Sequence, residues 1–396
     1  MSSTSGELHL ADIGELLAYL EAASIEEASE ILSGNIEPDA VILQDDDGEY
    51  VLLMDQQGFA LEFPMSTDFF WELVHDLESD VIAVHDVELW RESIGGESPT
   101  WDSAALHPRN EPRRVAYYRQ LQSRYRERVL HAKPGASGRY RALGSYLDAD
   151  EVAANPGLNF LSEAALAHAD ERIAAVKAEG GTLDPVRLKQ NMLSSMPLCF
   201  NLFGTMRAEP AFLEVFKDLF DPAATAIVNI ICEWAPQPPS DYLSDRTAFD
   251  AVVFYETAAG PKFCGIETKY TEPFSVTEYA NPRYNEVTRQ SGWFTSPDRA
   301  LSELKVRKSN QLWRNVLLAA AVEARDDRGA GSVAVVALAD DPGAHAALVA
   351  VASALADANR LKFVSLETIV DACDSHSALR DWSAAFRQRY LGPVPS

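Results

Sequence analysis

Two carboxylates and an ammonium stand at a spacing suited to phosphodiester chemistry: Asp250, then Glu267-Thr268-Lys269 beginning seventeen residues later. Side chains alternate along a strand, so Glu267 and Lys269 would project from one face. Asp250 falls on the preceding predicted strand. A turn at Thr257–Pro261 would make the two strands antiparallel neighbours and bring Asp250 near Glu267. A hard cation such as Mg²⁺ takes one or two carboxylates, waters and a phosphate oxygen. Asp250 and Glu267 would supply the carboxylates, with the Thr268 carbonyl as a third oxygen. Such a metal lowers the pKa of water and stabilises charge on a phosphate. Lys269 would orient the water and neutralise the transition state.

A Glu-x-Lys triplet carries no weight by itself, and the chain contains a second, Glu303-Leu304-Lys305. That copy falls in a predicted helix, where residues two apart do not face each other. The copy at 267–269 sits in an apolar run (Phe263, Cys264, Ile266), where inward charges are costly without partners or a function. The competing reading is a Glu–Lys pair on an exposed strand face, and spacing does not decide between them. Glu233, closing the strand before Asp250, is either an additional acidic metal ligand or a solvated strand end. Glu272 would support Lys269 from the following loop or lie on the surface. Gln311 and Arg314 share one helix face. Ser194 and Ser195 lack a Gly-x-Ser-x-Gly elbow, and the eight histidines show no HExxH pattern. Cys199, Cys232, Cys264 and Cys373 form no CxxC pair and read as small buried hydrophobes. Trp293 and Phe294 read as packing residues rather than base-stacking ones.

The elements that must position these groups follow from periodicity. Helices are expected over Pro185–Met196 and Phe212–Phe220, then strands over Ala226–Glu233, Phe249–Tyr255 and Lys262–Lys269. A long helix over Leu301–Ala324 precedes a strand at Val333–Leu338, whose continuous apolar run suits burial on both faces. A helix (His345–Ala358), a strand (Leu361–Leu366) and a last helix (Leu379–Tyr390) follow. Helices covering a mixed sheet make this an α/β domain over residues 185–396. Residues 106–184 read as an Arg-rich helical region starting at Arg113–Leu130, broken at Pro134–Ser137 and Asn155–Gly157. Residues 1–105 read as a small α+β unit. Its helices would be Asp12–Ala23, Glu26–Leu32 and Asp68–Leu77; its strands would be Ala40–Leu43, Tyr50–Met54, Ala60–Phe63 and Val81–Val87. The Gly-, Ser- and Pro-containing stretch Gly95–Arg109 reads as a linker.

The net charge of −26 looks wrong for a nucleic-acid enzyme, since phosphate contacts come from Lys and Arg. Its distribution answers most of that objection. Residues 1–108 hold 25 Asp and Glu against Arg91, a net of −24; the remainder is nearly neutral, at −2. Residues 109–141 hold ten Arg and Lys against Glu111 and Glu127, a local +8. Arg124, Arg126 and Arg128 are candidates there for phosphate contact, Arg being the better bidentate ligand. No apolar run reaches the ~18 residues of a membrane helix, and Met1–Glu7 is no signal peptide, so a soluble, cytoplasmic protein is expected.

Asp250 followed by Glu267-Thr268-Lys269, in a strand–strand–helix–strand context, resembles the signature of the PD-(D/E)XK nuclease superfamily. The resemblance is closer still to a family of uncharacterised restriction-endonuclease-like proteins. It is carried by Leu143-Gly144-Ser145, Asn159-Phe160-Leu161, Asn191 to Ser195, Cys199 to Gly204, Asp245 to Asp250, Gly265 to Glu272 and Gln311 to Asn315. It covers roughly residues 115–370 and leaves the first 108 unmatched. The proline of the superfamily's name is absent; Phe249 precedes Asp250. The resemblance implies a restriction-endonuclease-like fold and an Mg²⁺-dependent endonuclease, with Mn²⁺ able to substitute. It implies nucleic acid as substrate (DNA before RNA), a role in defence against foreign DNA, and Arg314 touching phosphate from a helix face turned to the site. Pairing into a homodimer is expected by analogy. Two other functions compete. One is a catalytically silent binding protein on the same fold, against which the intact Asp250, Glu267 and Lys269 argue. The other is regulation through residues 1–105, docking a basic protein partner or the protein's own basic segment.

Overall fold

In a computed structural model, the described residues are 8–9, 41–44, 50–53, 55–56, 59–62, 64–65, 83–86, 113–136, 142–275, 279–306, 309–325 and 328–392. The chain divides into two compact units, residues 1–146 with 392–396, and residues 147–391.

In the first unit, Val41–Gln44 pairs antiparallel with Tyr50–Leu53 and parallel with Ala83–Asp86, and Pro64–Met65 completes a four-stranded sheet. Leu8–His9, Phe59–Glu62 and Asp55–Gln56 form a second, three-stranded sheet. The helices expected at 12–32 and 68–77 and the linker at 95–109 lie outside the described residues. The Arg-rich stretch is a helix over Arg113–Arg128. Beyond it the expected turn at Pro134–Ser137 gives way to a strand, Pro134–Ala136, paired with Ala142–Leu147. Residues 143–147 (Leu-Gly-Ser-Tyr-Leu) have too little helical periodicity to outweigh pairing.

The second unit opens with a short helix, Ala149–Ala154, followed by helices α1 (Glu163–Ala178), α2 (Pro185–Gln190), α3 (Ser195–Cys199, continuing as a wider turn through Gly204) and α4 (Phe212–Leu219). Three strands follow: β1 (Ala224–Trp234), β2 (Phe249–Thr257) and β3 (Gly260–Thr268). Helices α5 (Pro282–Gln290), α6 (Pro297–Glu303) and α7 (Asn310–Arg325) lead to β4 (Ala330–Ala337). The chain finishes with α8 (Pro342–Ala352), β5 (Leu361–Ser365), α9 (Leu366–Asp374) and α10 (Arg380–Tyr390). The sheet runs in sequence order, β1-β2-β3-β4-β5, antiparallel at its first two joints and parallel at its last two. A tight turn makes β2 and β3 a hairpin, whereas a parallel joint needs a crossover long enough to hold helices.

Alternation along the strands feeds two cores. Val252, Phe263, Val333 and Val335 pack with Tyr284, Trp313, Val316 and Ala344 of α5, α7 and α8. On the opposite face, Tyr255 meets Phe216 of α4 edge-on at 4.9 Å. Also on that side, Cys232 N–H donates to His168 Nε2 of α1 at 3.0 Å. Burial of β4 on both faces explains its unbroken apolar run.

The single helix expected at Leu301–Ala324 is two. Ser309 Oγ and Asn310 Nδ2 donate to the carbonyls of Leu304 and Lys305, taking up the end of α6 and opening α7. Likewise Pro185–Met196 breaks after Gln190, and Ser194 caps the restart by accepting from Met196 N–H. The strand expected to run to Leu366 ends at Ser365, whose hydroxyl accepts from Thr368 N–H and starts α9.

Candidate active site

Pairing register brings the acidic residues level with one another. Cys232 opposes Ala251 and Trp234 opposes Phe249, which brackets Glu233 against Asp250. Ala251 opposes Ile266, which places Asp250 one residue on, beside Glu267. Phe249 anchors this register: its ring stacks on Trp234 at 6.1 Å and lies where a Cβ on Gly265 would come within 2.4 Å of it. Gly265 is therefore the residue type that lets β2 and β3 close at this level.

Glu267 and Lys269 project together, with Lys269 Nζ 2.8 Å from Glu267 Oε1. They are 2% and 7% exposed. Gln311 of α7 donates its amide to Glu267 Oε1 and accepts from Lys269 Nζ at 3.3 Å. One helical turn on, Asn315 donates to Glu267 Oε2. Phe274 covers the ammonium, its ring centroid 4.6 Å from Nζ. Asp250 Oδ2 accepts from Thr268 N–H at 2.7 Å and from the Thr268 hydroxyl at 2.8 Å. Among the described residues Asp250 Oδ1 and the Glu233 carboxylate have no hydrogen-bond donor.

The electrostatics follow from that crowding. Burial and then the charge of Glu267 push Asp250 up to about 7, against the pull of Lys269 and the Thr268 donors. Burial and then the charges on Asp250, Cys232 and Glu267 push Glu233 up to about 8. Burial disfavours the Lys269 ammonium, but Glu267 and Asp250 outweigh it and raise its pKa above the ordinary lysine value. Asp250 and Glu267 thus share the Lys269 ammonium, whereas the cation that pulls Glu233 down is Arg187.

The site's fit to a cation can be tested on these donors. Asp250 Oδ1 is free of donors, and Glu267 Oε2 takes one of its two. Hard oxygens and unrelieved negative charge suit a divalent ion such as Mg²⁺. Among the described residues no group of three or more His, Cys, Asp or Glu is arranged as metal ligands. The fit is therefore to the Asp250–Glu267 pair, with Glu233 nearby but outside a ready-made cage. Glu233 sits at φ +50, a left-handed conformation costing on the order of 1–3 kcal/mol for a non-glycine residue. Arg172 of α1 holds this kink by donating to the Cys232 and Glu233 carbonyls, both at 2.9 Å.

Other candidates are placed differently. Arg314 donates to Tyr284 Oη (3.0 Å) and Thr247 Oγ1 (2.6 Å), with Asp245 at 3.9 Å, rather than to Asp250, Glu233 or Glu267. Arg126 is corrected as a phosphate ligand. It is 1% exposed, and its guanidinium is taken by the Gly144 and Ala132 carbonyls and by Glu127. Arg128 is exposed and Arg124 half-buried on the same helix. Glu272 accepts from Arg187 (2.7 Å) and Ser195 N–H (3.0 Å) at the start of α3. Trp293 and Phe294 are buried in the core, as packing residues. The second triplet does not pair with itself: Glu303 meets Arg299 and Lys305 meets Asn285. The four cysteines are buried and free. Asn315 is the residue missed from sequence. Its signal was a pair of amides four apart, Gln311 and Asn315, at the start of a helix rich in Leu, Val and Ala.

A five-stranded mixed sheet between helix layers, with an acid pair and a lysine at one end of its central hairpin, defines a restriction-endonuclease-like protein. A family model described as the PD-(D/E)XK nuclease superfamily matches residues 109–392, well over half the chain, and the chain belongs to that superfamily. Membership implies nuclease or phosphodiesterase activity in general terms, although some members are inactive. No curated protein and no solved structure matches the chain. Among the described residues no helix is long and apolar enough to cross a membrane.

Proposed function

We propose that the protein is a metal-dependent endonuclease acting on nucleic acid, DNA in the first instance, with Asp250, Glu267 and Lys269 as its catalytic set. The observation that carries this reading is the buried Glu267–Lys269 pair, 2.8 Å apart, set beside a donor-free oxygen of Asp250. A charge pair this buried stabilises a fold little by itself, because desolvation offsets the attraction. Its placement beside further uncompensated carboxylates favours a chemical role.

Asp250 and Glu267 would hold Mg²⁺, with the Thr268 carbonyl as a further oxygen and Mn²⁺ able to substitute. When bound, the ion lowers the pKa of water and stabilises charge on the phosphate. Thr268 fixes one oxygen of Asp250 and so aims the other. Gln311 and Asn315 fix Glu267. Lys269, kept charged by its two carboxylate neighbours, offers a positive group to the phosphate oxygen on which charge develops. Exposed Arg128 and half-buried Arg124 would lie along the phosphate backbone. Defence against foreign DNA fits an endonuclease of this class, and pairing into a homodimer would let it cut both strands.

Supercoiled plasmid incubated with the protein, with Mg²⁺ or with a chelator, tests the reading. Nicking or linearisation only with Mg²⁺ is expected; absence of cleavage under all divalent ions would favour the catalytically silent alternative.

A further inference from the structure

Tyr279, between β3 and α5, is 48% exposed, yet it is held on two sides. Its backbone N–H donates to Asn310 Oδ1 at 3.2 Å, and Asn310 Nδ2 donates back to its carbonyl at 3.3 Å. One face of its ring is covered by the Arg314 guanidinium, 4.2 Å from the centroid. Arg314 is itself fixed by Tyr284 and Thr247, as described above. Asn310 is the first residue of α7, and its neighbour Gln311 touches both Glu267 and Lys269. Four residues before Tyr279, Ser275 N–H donates to Gln311 Oε1 at 2.7 Å, so Ser275 and Tyr279 are both tied to the first turn of α7, the turn whose Gln311 holds Glu267 and Lys269.

An isolated exposed aromatic needs no explanation. A ring clamped at its backbone and backed on one face by a delocalised cation is different, because little ordering entropy remains to be lost when something stacks on its outer face. The planar ligand that a nuclease site brings alongside is a nucleobase, and base–aromatic stacking tolerates any base. Arg314, 4.2 Å behind the ring, would add positive charge to such a stack.

We propose that Tyr279, backed by Arg314, is a stacking platform for an unpaired nucleobase of the strand whose phosphate lies at Asp250 and Glu267. This rests on the nuclease reading and narrows it to substrates that offer an unstacked base near the cut, such as a single strand, an overhang or a flipped nucleotide.

The test uses full-length protein and single-stranded oligonucleotides carrying 2-aminopurine at successive positions, in a chelator so that binding is read without cleavage. Stacking quenches the fluorophore. Wild type should quench it, Tyr279→Phe and Tyr279→Trp should retain the quench, and Tyr279→Ala should lose it. Binding by Tyr279→Ala should weaken about 5- to 150-fold, the range expected for one stacked base, with an unchanged melting temperature. Equal quenching and affinity in wild type and Tyr279→Ala would overturn the platform, as would failure of wild type to bind the oligonucleotide. Parallel cleavage assays with Mg²⁺ separate the two readings. Wild type that cuts while Tyr279→Ala matches it in quench refutes only the platform. Wild type that quenches but never cuts refutes only the nuclease.

Discussion

Glu267 is the most constrained side chain of the site, with both oxygens held by Lys269, Gln311 and Asn315. Asn315→Ala would leave one of those oxygens buried without its donor, at a cost of about 1–3 kcal/mol. A lowered denaturation midpoint together with slower cleavage is expected; an unchanged midpoint would mean that the contact is not made. Asp250 and Glu233 give a pH dependence whose sign is fixed. Both titrate in the folded protein near 7 and 8, above the usual carboxylate range of about 4. Between these limits the folded state binds more protons than the unfolded state, so metal-free stability falls as pH rises from about 4 to 8. A divalent ion competes with those protons, so Mg²⁺ should bind more tightly, and raise the melting temperature more, at pH 8 than at pH 6. Melting curves at the two pH values with and without Mg²⁺ check this. Equal shifts would show that the carboxylates do not hold the ion.

At the scale of elements, the site depends on register between β1, β2 and β3. Gly265→Ala would drive a methyl into the buried Phe249 ring, and overpacking of this kind costs about 1–3 kcal/mol. The variant should lose cleavage out of proportion to its loss of stability, because Phe249 adjoins Asp250; a stable variant with full activity would contradict this. The hairpin and the sheet were legible in sequence because alternation and a Gly-containing turn are local signals. Glu267 and Lys269 were legible for the same reason, as charges two apart inside an apolar run. The breaks were less legible. Pro282 after the Asn281 cap and Pro297 after Ser296 open α5 and α6, short helices with too few turns for periodicity to mark them. Asn315 was hidden because nothing local says that an amide on a helix rich in Leu, Val and Ala will meet a carboxylate forty-eight residues earlier. Arg126 was misjudged because composition counts charge without showing which guanidinium is buried.

For the whole molecule the charge is the dominant fact: −24 over residues 1–108 against +8 over 109–141. Oppositely charged segments of one chain attract, with screening over a Debye length of about 8 Å at physiological salt. We propose that the acidic segment competes with nucleic acid for the basic one. Replacing Asp45, Asp46 and Asp47 by Asn in the full-length protein should then tighten nucleic-acid binding and speed cleavage, with the difference shrinking as salt rises. Identical behaviour at low and high salt would leave only recruitment of a basic partner, or solubility, as the segment's role. Conversely, Arg124→Glu with Arg128→Glu should weaken binding to all sequences about equally and flatten its salt dependence. An unchanged salt slope would move the phosphate-binding surface elsewhere.

The most direct test of the catalytic assignment compares wild type with Lys269→Ala and Asp250→Ala in Mg²⁺-dependent plasmid cleavage, all three checked for fold by circular dichroism. Lys269→Ala should slow turnover by about 10²-fold or more, as removal of a transition-state charge partner does, and should keep its affinity for Mg²⁺. Asp250→Ala should lose both cleavage and metal affinity. A folded Asp250→Ala protein that cuts at the wild-type rate would contradict the assignment.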